Sequence, residues 1–322
     1  MDLPPALRTA LEALLDGVPT ADLAQAGETL SRRYRDEVRD GAAHLAGEPA
    51  ALAYVATRMP ATFAAAARAF TEAALAEPAL NPVNLLDVGA GPGTLLWAAQ
   101  AVWPNLARAA LIEAAPAIRT VGETLARASH GIDVEWRAGD ARAALASASP
   151  ADLVTAGYVL NELAPADREA FVDRLWALTR QVLVIVEPGT SAGWRRILEV
   201  RAQVLGEGGH VLAPCPHALA CPLAPPDWCH FSQRLARSRI HRLAKRAEVP
   251  FEDEKFIYVA LSRDPAPSQP PRVLAPPLVA KPYIDLKLCR PDGTAAMERA
   301  ARRDAPAYRI ARRLDWGDRL ET

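Results

Sequence analysis

The spacing of apolar side chains changes along the chain, and it first predicts a helical region. Residues 1 to about 80 carry apolar side chains at helical intervals, as at Leu7 and Leu11 and again at Tyr34 and Val38. This stretch contains no motif that points to chemistry. We therefore expect an N-terminal helical region over residues 1–80.

From residue 84 the pattern changes to short apolar runs, the mark of buried strands. Five such runs begin the segments NLLDVGAGPGT, LARAALIEA, DVEWRAGDA, ADLVTAGYVLNEL and RQVLVIVEPG. Helical spacing separates them over 94–102, 116–127 and 165–179. Apolar strands that alternate with helices predict an α/β fold, with a parallel sheet covered on both faces.

The rest of the chain, from residue 191, predicts further elements and a linker. The segment SAGWRRILEVRAQVLGEGG predicts a helix that ends at its glycines. A second helix is expected over 232–247, and EKFIYVALSR predicts a strand. DPAPSQPPRVLAPP has six prolines in fourteen residues, which indicates a linker. The tail, including AYRIARRLDW, predicts a small β-module. The predicted units are residues 1–80, residues 81–263 with a Cys-rich insertion at 210–231, and residues 272–322.

Composition narrows the class of protein. Half of the 322 residues are apolar and 23% are charged, as in ordinary globular proteins. Apolar runs fall short of the roughly 18 residues that a membrane span needs. The start, MDLPPALRTALEALLDG, resembles neither a signal peptide nor an Arg/Ser-rich transit peptide. We therefore expect a cytoplasmic monomer without stable disulfides.

The net charge of −1 hides an asymmetry between the two ends of the chain. Residues 1–231 hold 18 basic and 26 acidic side chains, whereas residues 232–322 hold 19 basic and 12 acidic ones. Such a division indicates that one face meets a polyanion, and an internal interface between acidic and basic parts is the alternative.

The glycine-rich segment LLDVGAGPGT follows the first predicted strand. Gly89, Gly91 and Gly93 occur at every second position, two residues after Asp87. Glycine permits positive φ and lets a ligand approach the backbone closely. A dinucleotide fold uses G-x-G-x-x-G, whereas the spacing here is G-x-G-x-G.

This loop resembles the signature of class I S-adenosylmethionine-dependent methyltransferases, and matching residues follow in order. The resemblance implies that Glu113, at the end of the second strand, accepts hydrogen bonds from the ribose hydroxyls. It places Asp140 at the adenine and Asn161 near the sulfonium and the substrate. It assigns Asp87 and the three loop glycines to cofactor binding, within a Rossmann-like sheet.

Three of the four cysteines lie in one short stretch, CPHALACPLAPPDWCHF. Cys215, Cys221 and Cys229 have the spacing C-x5-C-x7-C, and Cys289 lies in the tail. The short paired knuckles of structural zinc sites are absent, and irregular spacing with a distant fourth ligand is more typical of an iron–sulfur cluster. Zinc held by three cysteines and one of the histidines His217, His230 and His241 stays an alternative, as do cysteines without a metal.

Several motifs around these cysteines resemble one family. APCPHALACPL, WCHFSQR, EDEKFIYVALSR, VEPGT and DWGD are similar to the methyltransferase-like assembly factors of the small ribosomal subunit, over about Leu85 to Asp318. The resemblance implies S-adenosylmethionine binding, a [4Fe-4S] cluster and association with small-subunit ribosomal RNA, with ribosomal proteins as further partners. It assigns the cluster to Cys215, Cys221, Cys229 and Cys289.

The segment SQRLARSRIHRLAKRA adds a candidate RNA surface. If 232–247 is a helix, one of its faces carries four cations and the opposite face is apolar. These cations are Arg234, Arg237, Arg242 and Lys245. They would contact phosphates, and a solvated charged face is the alternative.

Two functions remain open at the level of sequence. The first is an S-adenosylmethionine-dependent RNA methyltransferase, and the second is an assembly or RNA-binding factor that keeps the methyltransferase fold as a scaffold. Base methylation at an exocyclic amine usually uses Asn/Asp-Pro-Pro-aromatic, and here the segment is NELAP. Glu162 and Tyr158 lie near the expected substrate side, yet neither can be assigned as a base. A radical mechanism needs a cluster in which one iron has no protein ligand. Four cysteines would provide a ligand for every iron.

Overall fold

The N-terminal region is helical and packs on the rest of the protein. A computed structural model describes residues 2–35, 45 and 47–321. Its first helices are α1 (Pro5–Leu14), α2 (Thr20–Arg35), α3 (Glu48–Thr57) and α4 (Met59–Ala76). Helix α4 is buried on most sides and shares one hydrophobic core with the sheet. The helical spacing predicted at Val38 lies outside the described residues.

The central element is an eight-stranded mixed sheet with the order β3-β2-β1-β4-β5-β8-β6, and β7 pairs with β8. Its strands are β1 (Asn84–Val88), β2 (Arg108–Glu113), β3 (Asp133–Ala138), β4 (Ala151–Gly157), β5 (Thr179–Pro188), β6 (His210–Ala213), β7 (Phe231–Ala236) and β8 (Phe251–Ser262). Strands β1 to β5 are mutually parallel, and β8 runs antiparallel to β5, β6 and β7.

Helices connect these strands as the alternating pattern predicts. They are α5 (Thr94–Val102), α6 (Pro116–Ala126), α7 (Ala141–Ala146), α8 (Pro165–Leu178), α9 (Ser191–Gly206) and α10 (Arg239–Ala244). Val182 to Val186 in β5 are completely buried, because helices cover both faces of a parallel sheet. The predicted α/β class is confirmed.

The prediction of one helix over 232–247 is wrong. Strand β7 occupies the first part, and its residues Arg234 and Leu235 pair with Asp253 and Glu252 of β8. Helix α10 begins only after Ser238, whose hydroxyl accepts a hydrogen bond from the His241 amide at 3.1 Å. The open edge of β8 explains the difference, because it offers a strand the backbone partners that local helical spacing does not reveal.

The tail forms a second, smaller sheet with the order β10-β11-β12, in which β9 pairs with β11. Its elements are β9 (Arg272–Val273), β10 (Leu278–Ala280), β11 (Tyr283–Cys289), β12 (Ala295–Ala301) and α11 (Ala305–Ala311). The strand predicted in AYRIARRLDW is instead helix α11. This segment contacts the small core through Tyr308 and Ala311, three residues apart, a helical rather than a strand spacing.

The Cys-rich insertion connects β6 to β7 and contains little regular structure between residues 214 and 230. Within the described ranges, no helix is long and apolar enough to cross a membrane.

Candidate functional site

The glycine loop turns sharply between β1 and α5, at the carboxyl end of the sheet. Gly89, Gly91 and Gly93 all have positive φ, at 70°, 54° and 77°. A side chain at Gly89 would collide with Val159, whose Cγ2 would lie 2.5 Å from the new Cβ. A Cβ at Gly91 would meet nothing within 4 Å. The loop therefore leaves open space at its middle glycine, where a ligand can approach the backbone.

Glu113 at the end of β2 holds this loop in place. Its Oε2 accepts a hydrogen bond from the Gly91 amide and its Oε1 accepts one from the Ala115 amide, both at 2.8 Å. A carboxylate has about four lone-pair positions. Glu113 can therefore keep both backbone contacts and still accept hydrogen bonds from ligand hydroxyls.

Asp87 supports the loop from below rather than from the cleft. Its side chain is buried, and the Thr155 hydroxyl donates to Oδ1 at 2.7 Å. Its Oδ2 is buried without a hydrogen-bond partner in the described part of the chain. Burial raises the pKa of Asp87 to about 7, although the Thr155 hydrogen bond acts against this shift.

One cleft collects much of the predicted cofactor set. It has a volume of about 270 Å³, and its lining includes Gly89, Gly91, Glu113, Asp140, Tyr54, Tyr158 and Glu162. Gly93 and Asn161 lie outside this lining: Gly93 packs near Trp136 and Leu111, and Asn161 is buried. The sequence did not predict that Tyr54 lines the cleft, because helix α3 reaches the cleft only through tertiary packing.

The cleft lining also holds two titratable residues, Tyr158 and Glu162, in different environments. The Tyr158 hydroxyl donates to Glu254 Oε1 at 3.1 Å, and Arg58 lies 3.3 Å from the same oxygen. Burial and Glu254 raise the pKa of Tyr158 well above its usual value. Glu162 is open to solvent at the mouth of the cleft, and desolvation followed by the Glu113 and Glu187 charges raises its pKa. Because the Glu162 side chain is exposed, solvent reduces the desolvation that raises its pKa.

Tyr158 is also strained, because its φ of 61° is rare for a side chain of this size. It follows β4 directly, and its amide donates to the Val186 carbonyl at 2.7 Å. The buried Glu187 accepts from the Leu160 amide at 3.1 Å and pairs with Arg196 at 2.7 Å. These contacts fix the segment after β4 against β5, which sets the wall of the cleft.

The four cysteines line a second cavity, between the Cys-rich insertion and β11. Burial raises the pKa of Cys215, Cys229 and Cys289, the last to about 12. His217 lines the same cavity, with its Nε2 3.4 Å from the Cys289 Sγ. Within the described residues, no group of three or more His, Cys, Asp or Glu side chains could hold a metal ion. The predicted metal-binding character of the insertion is therefore not established.

Two buried arginines organise the insertion around this cavity. Arg201 on α9 donates from Nη2 to the carbonyls of His217 and Leu219 at 2.8 and 2.7 Å. Arg272 on β9 donates from Nε to the Pro214 carbonyl at 3.1 Å and pairs with Glu72 on α4. Both guanidinium groups act to lower the pKa of Cys215, against the larger effect of burial.

The other two candidate histidines are placed elsewhere. His230 lies between the rings of Trp228 and Trp316, with centroid distances of 5.3 and 4.7 Å. The Nε2 of the buried His241 lies 3.1 Å from Glu252. Among the three histidines considered as zinc ligands, His217 alone lines the cysteine cavity.

The four predicted RNA-binding cations lie on different elements, and three of them pair with carboxylates of β8. Arg234 contacts Asp253 through two hydrogen bonds of 2.7 and 2.8 Å. Arg237 lies 3.2 Å from Glu252, which also pairs with Lys245, whereas Arg242 is exposed. These three pairs lie within residues 232–322, so they do not test the alternative of an interface with the acidic residues 1–231, and RNA binding at these cations stays a prediction.

The strand order, the G-x-G-x-G loop and the acid at the end of β2 together define a class I methyltransferase fold. The chain belongs to the family described as "Mitochondrial small ribosomal subunit Rsm22", which it matches over residues 48–321. The predicted family resemblance is confirmed at this level.

A curated relative supports the same grouping. The chain is 33% identical over 292 residues to the human "Ribosome assembly protein METTL17, mitochondrial", covering 85% of this chain and 63% of that protein. It thus spans less than two thirds of its relative. The prediction of a cytoplasmic location is wrong by this comparison, because both the family and the human relative are described as mitochondrial.

Solved methyltransferase structures are similar at low identity. Magnesium protoporphyrin IX methyltransferase from Synechocystis has a TM-score of 0.41 and 12% identity, covering 80% of this chain and 97% of that one. The ribosomal protein L11 methylase from Lactobacillus delbrueckii has a TM-score of 0.37 and 14% identity, covering 61% and 79%.

Proposed function

We propose that this protein is an assembly factor for a small ribosomal subunit that binds S-adenosylmethionine and subunit RNA. One observation carries the cofactor part of the proposal. The open space at Gly91, the Glu113 carboxylate and Asp140 all face one cleft at the carboxyl end of the parallel strands. Ligands of open α/β sheets bind at that edge.

The residues of the cleft fit the chemical groups of the cofactor. The loop backbone at Gly91 admits close approach, and Glu113 retains lone pairs for two hydroxyls of a ribose. Asp140 is exposed near the cleft and offers an acceptor for an adenine amine. The proposal includes the division of the chain into three units. These are the N-terminal helical region, the domain that would bind the cofactor and the small C-terminal module.

The role in ribosome assembly rests on family membership and on the name of the human relative. RNA is the partner that we favour, because residues 232–322 carry an excess of seven basic side chains. Such an excess favours binding to a polyanion.

We also propose that the four cysteines hold a [4Fe-4S] cluster. Three come from the insertion and the fourth from β11, yet all line one cavity, and four thiolates are the usual ligands of this cluster. A cluster is wider than a single ion, so its ligands stand farther apart than those of zinc. The charges of Arg201 and Arg272 beside Cys215 would offset those of the thiolates. The raised pKa values mean that loading would displace protons from the thiols.

Methyl transfer is the activity that we propose, with a non-catalytic scaffold as the second candidate. Bound S-adenosylmethionine supplies an electrophilic methyl group. Glu162 lines the same cleft as Glu113, and its raised pKa suits it to take a proton from an oxygen or nitrogen acceptor. Tyr158 favours the scaffold alternative in one respect, because its hydroxyl is already committed to Glu254.

Titration calorimetry with S-adenosylmethionine tests the cofactor site. Gly91→Val should abolish binding, because the side chain would enter the cleft and the backbone there has positive φ. Gly131→Val is a matched control, with a φ of 76°, no atom within 4 Å of the new Cβ and no place in the cleft lining. No loss of binding in Gly91→Val would show that the loop is only a turn, and equal loss in both variants would show that backbone strain rather than contact with the cofactor causes it.

Iron analysis of protein purified without oxygen tests the cluster. We expect about four irons per chain, a strong loss of iron in Cys229→Ser, and full retention in His217→Ala. One zinc per chain that is lost in both variants would instead indicate a zinc site with three cysteines and His217. Mass spectrometry of subunit RNA, with and without the gene, then separates methyl transfer from a scaffold role.

A further inference from the structure

The small C-terminal sheet has one face that its own core does not use. Ile284 and Leu286 of β11 point into that core and are almost completely buried. Side chains alternate along a strand, so Tyr283 and Asp285 project from the opposite face. The register adds neighbours from β10 and β12 to this outer face, which includes Leu278, Tyr283, Asp285, Met297 and Arg299. Lys287 lies on the same face, opposite Met297, and pairs with Asp227 of the Cys-rich insertion.

This outer face combines a stacked pair with exposed apolar side chains. The Arg299 guanidinium lies 3.6 Å from the centre of the Tyr283 ring. Arg299 is also held by Asp285 through two hydrogen bonds of 2.8 Å, although its side chain is 57% exposed. Leu278 and Met297 are 60% and 54% exposed. The result is a flat surface on which a planar group can stack.

Three cations border the stacked pair at one end of the sheet. Lys281 lies in the turn between β10 and β11, and Arg302 and Arg303 follow β12 directly. With Tyr283 and Arg299 they line a shallow pocket of about 540 Å³. All three are exposed, and none has a carboxylate within ion-pair distance in the part of the chain that the structure describes.

We propose that this outer face binds single-stranded RNA, with bases on the Tyr283–Arg299 pair and phosphates at Lys281, Arg302 and Arg303. Unstacked bases pack on aromatic rings and on guanidinium planes. The one acid of the face, Asp285, is already held by Arg299, so the surface is positive overall. A protein partner would have to place carboxylates opposite all three cations, whereas RNA supplies a phosphate at every nucleotide and a base that can stack on the ring.

The proposal rests on the proposed function, since it names the surface that contacts the subunit RNA. The proposal also assigns RNA binding to the C-terminal sheet instead of to residues 232–247. There, Arg234, Arg237 and Lys245 already meet carboxylates, so each phosphate contact would have to displace an internal ion pair. Contacts from the unpaired cations of the C-terminal sheet carry no such cost.

The test compares two triple variants of the full chain that remove the same charge. Fluorescence anisotropy is measured with a labelled 12-nucleotide RNA, single-stranded and as a duplex, across a series of KCl concentrations. K281Q/R302Q/R303Q should reduce the slope of log affinity against log salt by about 2, at about 0.7 for each phosphate contact on a single strand. R234Q/R237Q/K245Q should leave that slope unchanged and lower the melting temperature.

Tyr283→Leu tests stacking separately from charge. It should weaken single-strand binding about fivefold or more, with the salt slope unchanged, because it removes a ring and no charge. RNA containing 4-thiouridine should crosslink to the tryptic peptide that contains Tyr283, a result that does not depend on the folding of any variant.

The opposite results would overturn the proposal. These are a reduced slope in the 234/237/245 triple alone, tighter binding of duplex than of single strand, or crosslinks within 232–247. In each case the chain still binds RNA, so only the assignment of the surface fails. If the unaltered chain binds no RNA, or crosslinks in the assembling subunit only to protein, the proposed RNA function fails with it.

Discussion

Replacing Asp87 by Asn should change how the stability of the protein depends on pH. Asp87 is 1% exposed, and burial raises its pKa from 3.8 to about 7. Between these two values the folded protein holds a proton that the unfolded chain has lost. The unfolding free energy therefore falls as the pH rises through this range.

The magnitude follows from the size of the shift. About three pKa units at 1.36 kcal/mol each amount to about 4 kcal/mol, present in full below pH 4 and lost above pH 7. About 2.5 kcal/mol of this loss falls between pH 5 and pH 8. The Asn variant carries no charge at this position. Its stability relative to the wild type should therefore rise by that amount over the same interval.

Urea unfolding in reducing buffer at several pH values measures this difference. Taking wild type minus variant cancels the contributions of the other titrating groups. Thr155→Val removes the 2.7 Å hydrogen bond to Asp87 Oδ1, which lowers the pKa of Asp87 in the folded protein. In this variant the pH-dependent loss of stability should therefore occur at higher pH. Parallel pH profiles for wild type and Asp87→Asn would refute the reasoning, because they would mean that Asp87 titrates alike in both states.

Two further predictions concern packing and the buried ion pair. Arg272→Met should cost about 2–4 kcal/mol in urea unfolding, because the buried carbonyls of Pro214 and Gly317 lose their donor while Glu72 keeps only Arg68, 2.8 Å away, as an ion-pair partner; a loss as small as that of an exposed ion pair would contradict this. Gly122→Ala should cost about 1–3 kcal/mol, since the new Cβ would lie 2.4 Å from the Trp136 ring. The control Gly27→Ala meets Thr57 at an ordinary 3.5 Å and should be neutral or stabilising by up to about 1 kcal/mol.

Much of the cleft beside the glycine loop could be predicted from local sequence. Gly91 lies in the loop after β1 and Glu113 ends β2, and the carboxyl ends of parallel strands meet at one edge of a sheet. The methyltransferase resemblance also assigned Asp87 to cofactor binding, and the structure buries its side chain below the loop, outside the cleft lining. Tyr54 could not be found in this way, because no local signal states which edge of the sheet α3 covers.

The segment 232–247 shows where local pattern fails. Its cations have helical spacing, but β8 has a free edge that binds residues 231–236 as a strand. The partner of a strand is set by chain topology, which spacing alone does not encode. The same partner supplies Glu252 and Asp253, which form ion pairs with three of the four predicted phosphate ligands.

The sequence by itself determined the α/β class, the glycine loop and the family, because each depends on residues close together in the chain. Short-range features such as the alternation of side chains along a strand and the spacing of glycines can be read from neighbouring residues. Tertiary structure alone decided which charges are paired and which face of the C-terminal sheet stays open. It also brought Cys289 to the cavity of the other three cysteines, 60 or more residues away. These properties depend on contacts between distant segments, which form only when the whole chain packs.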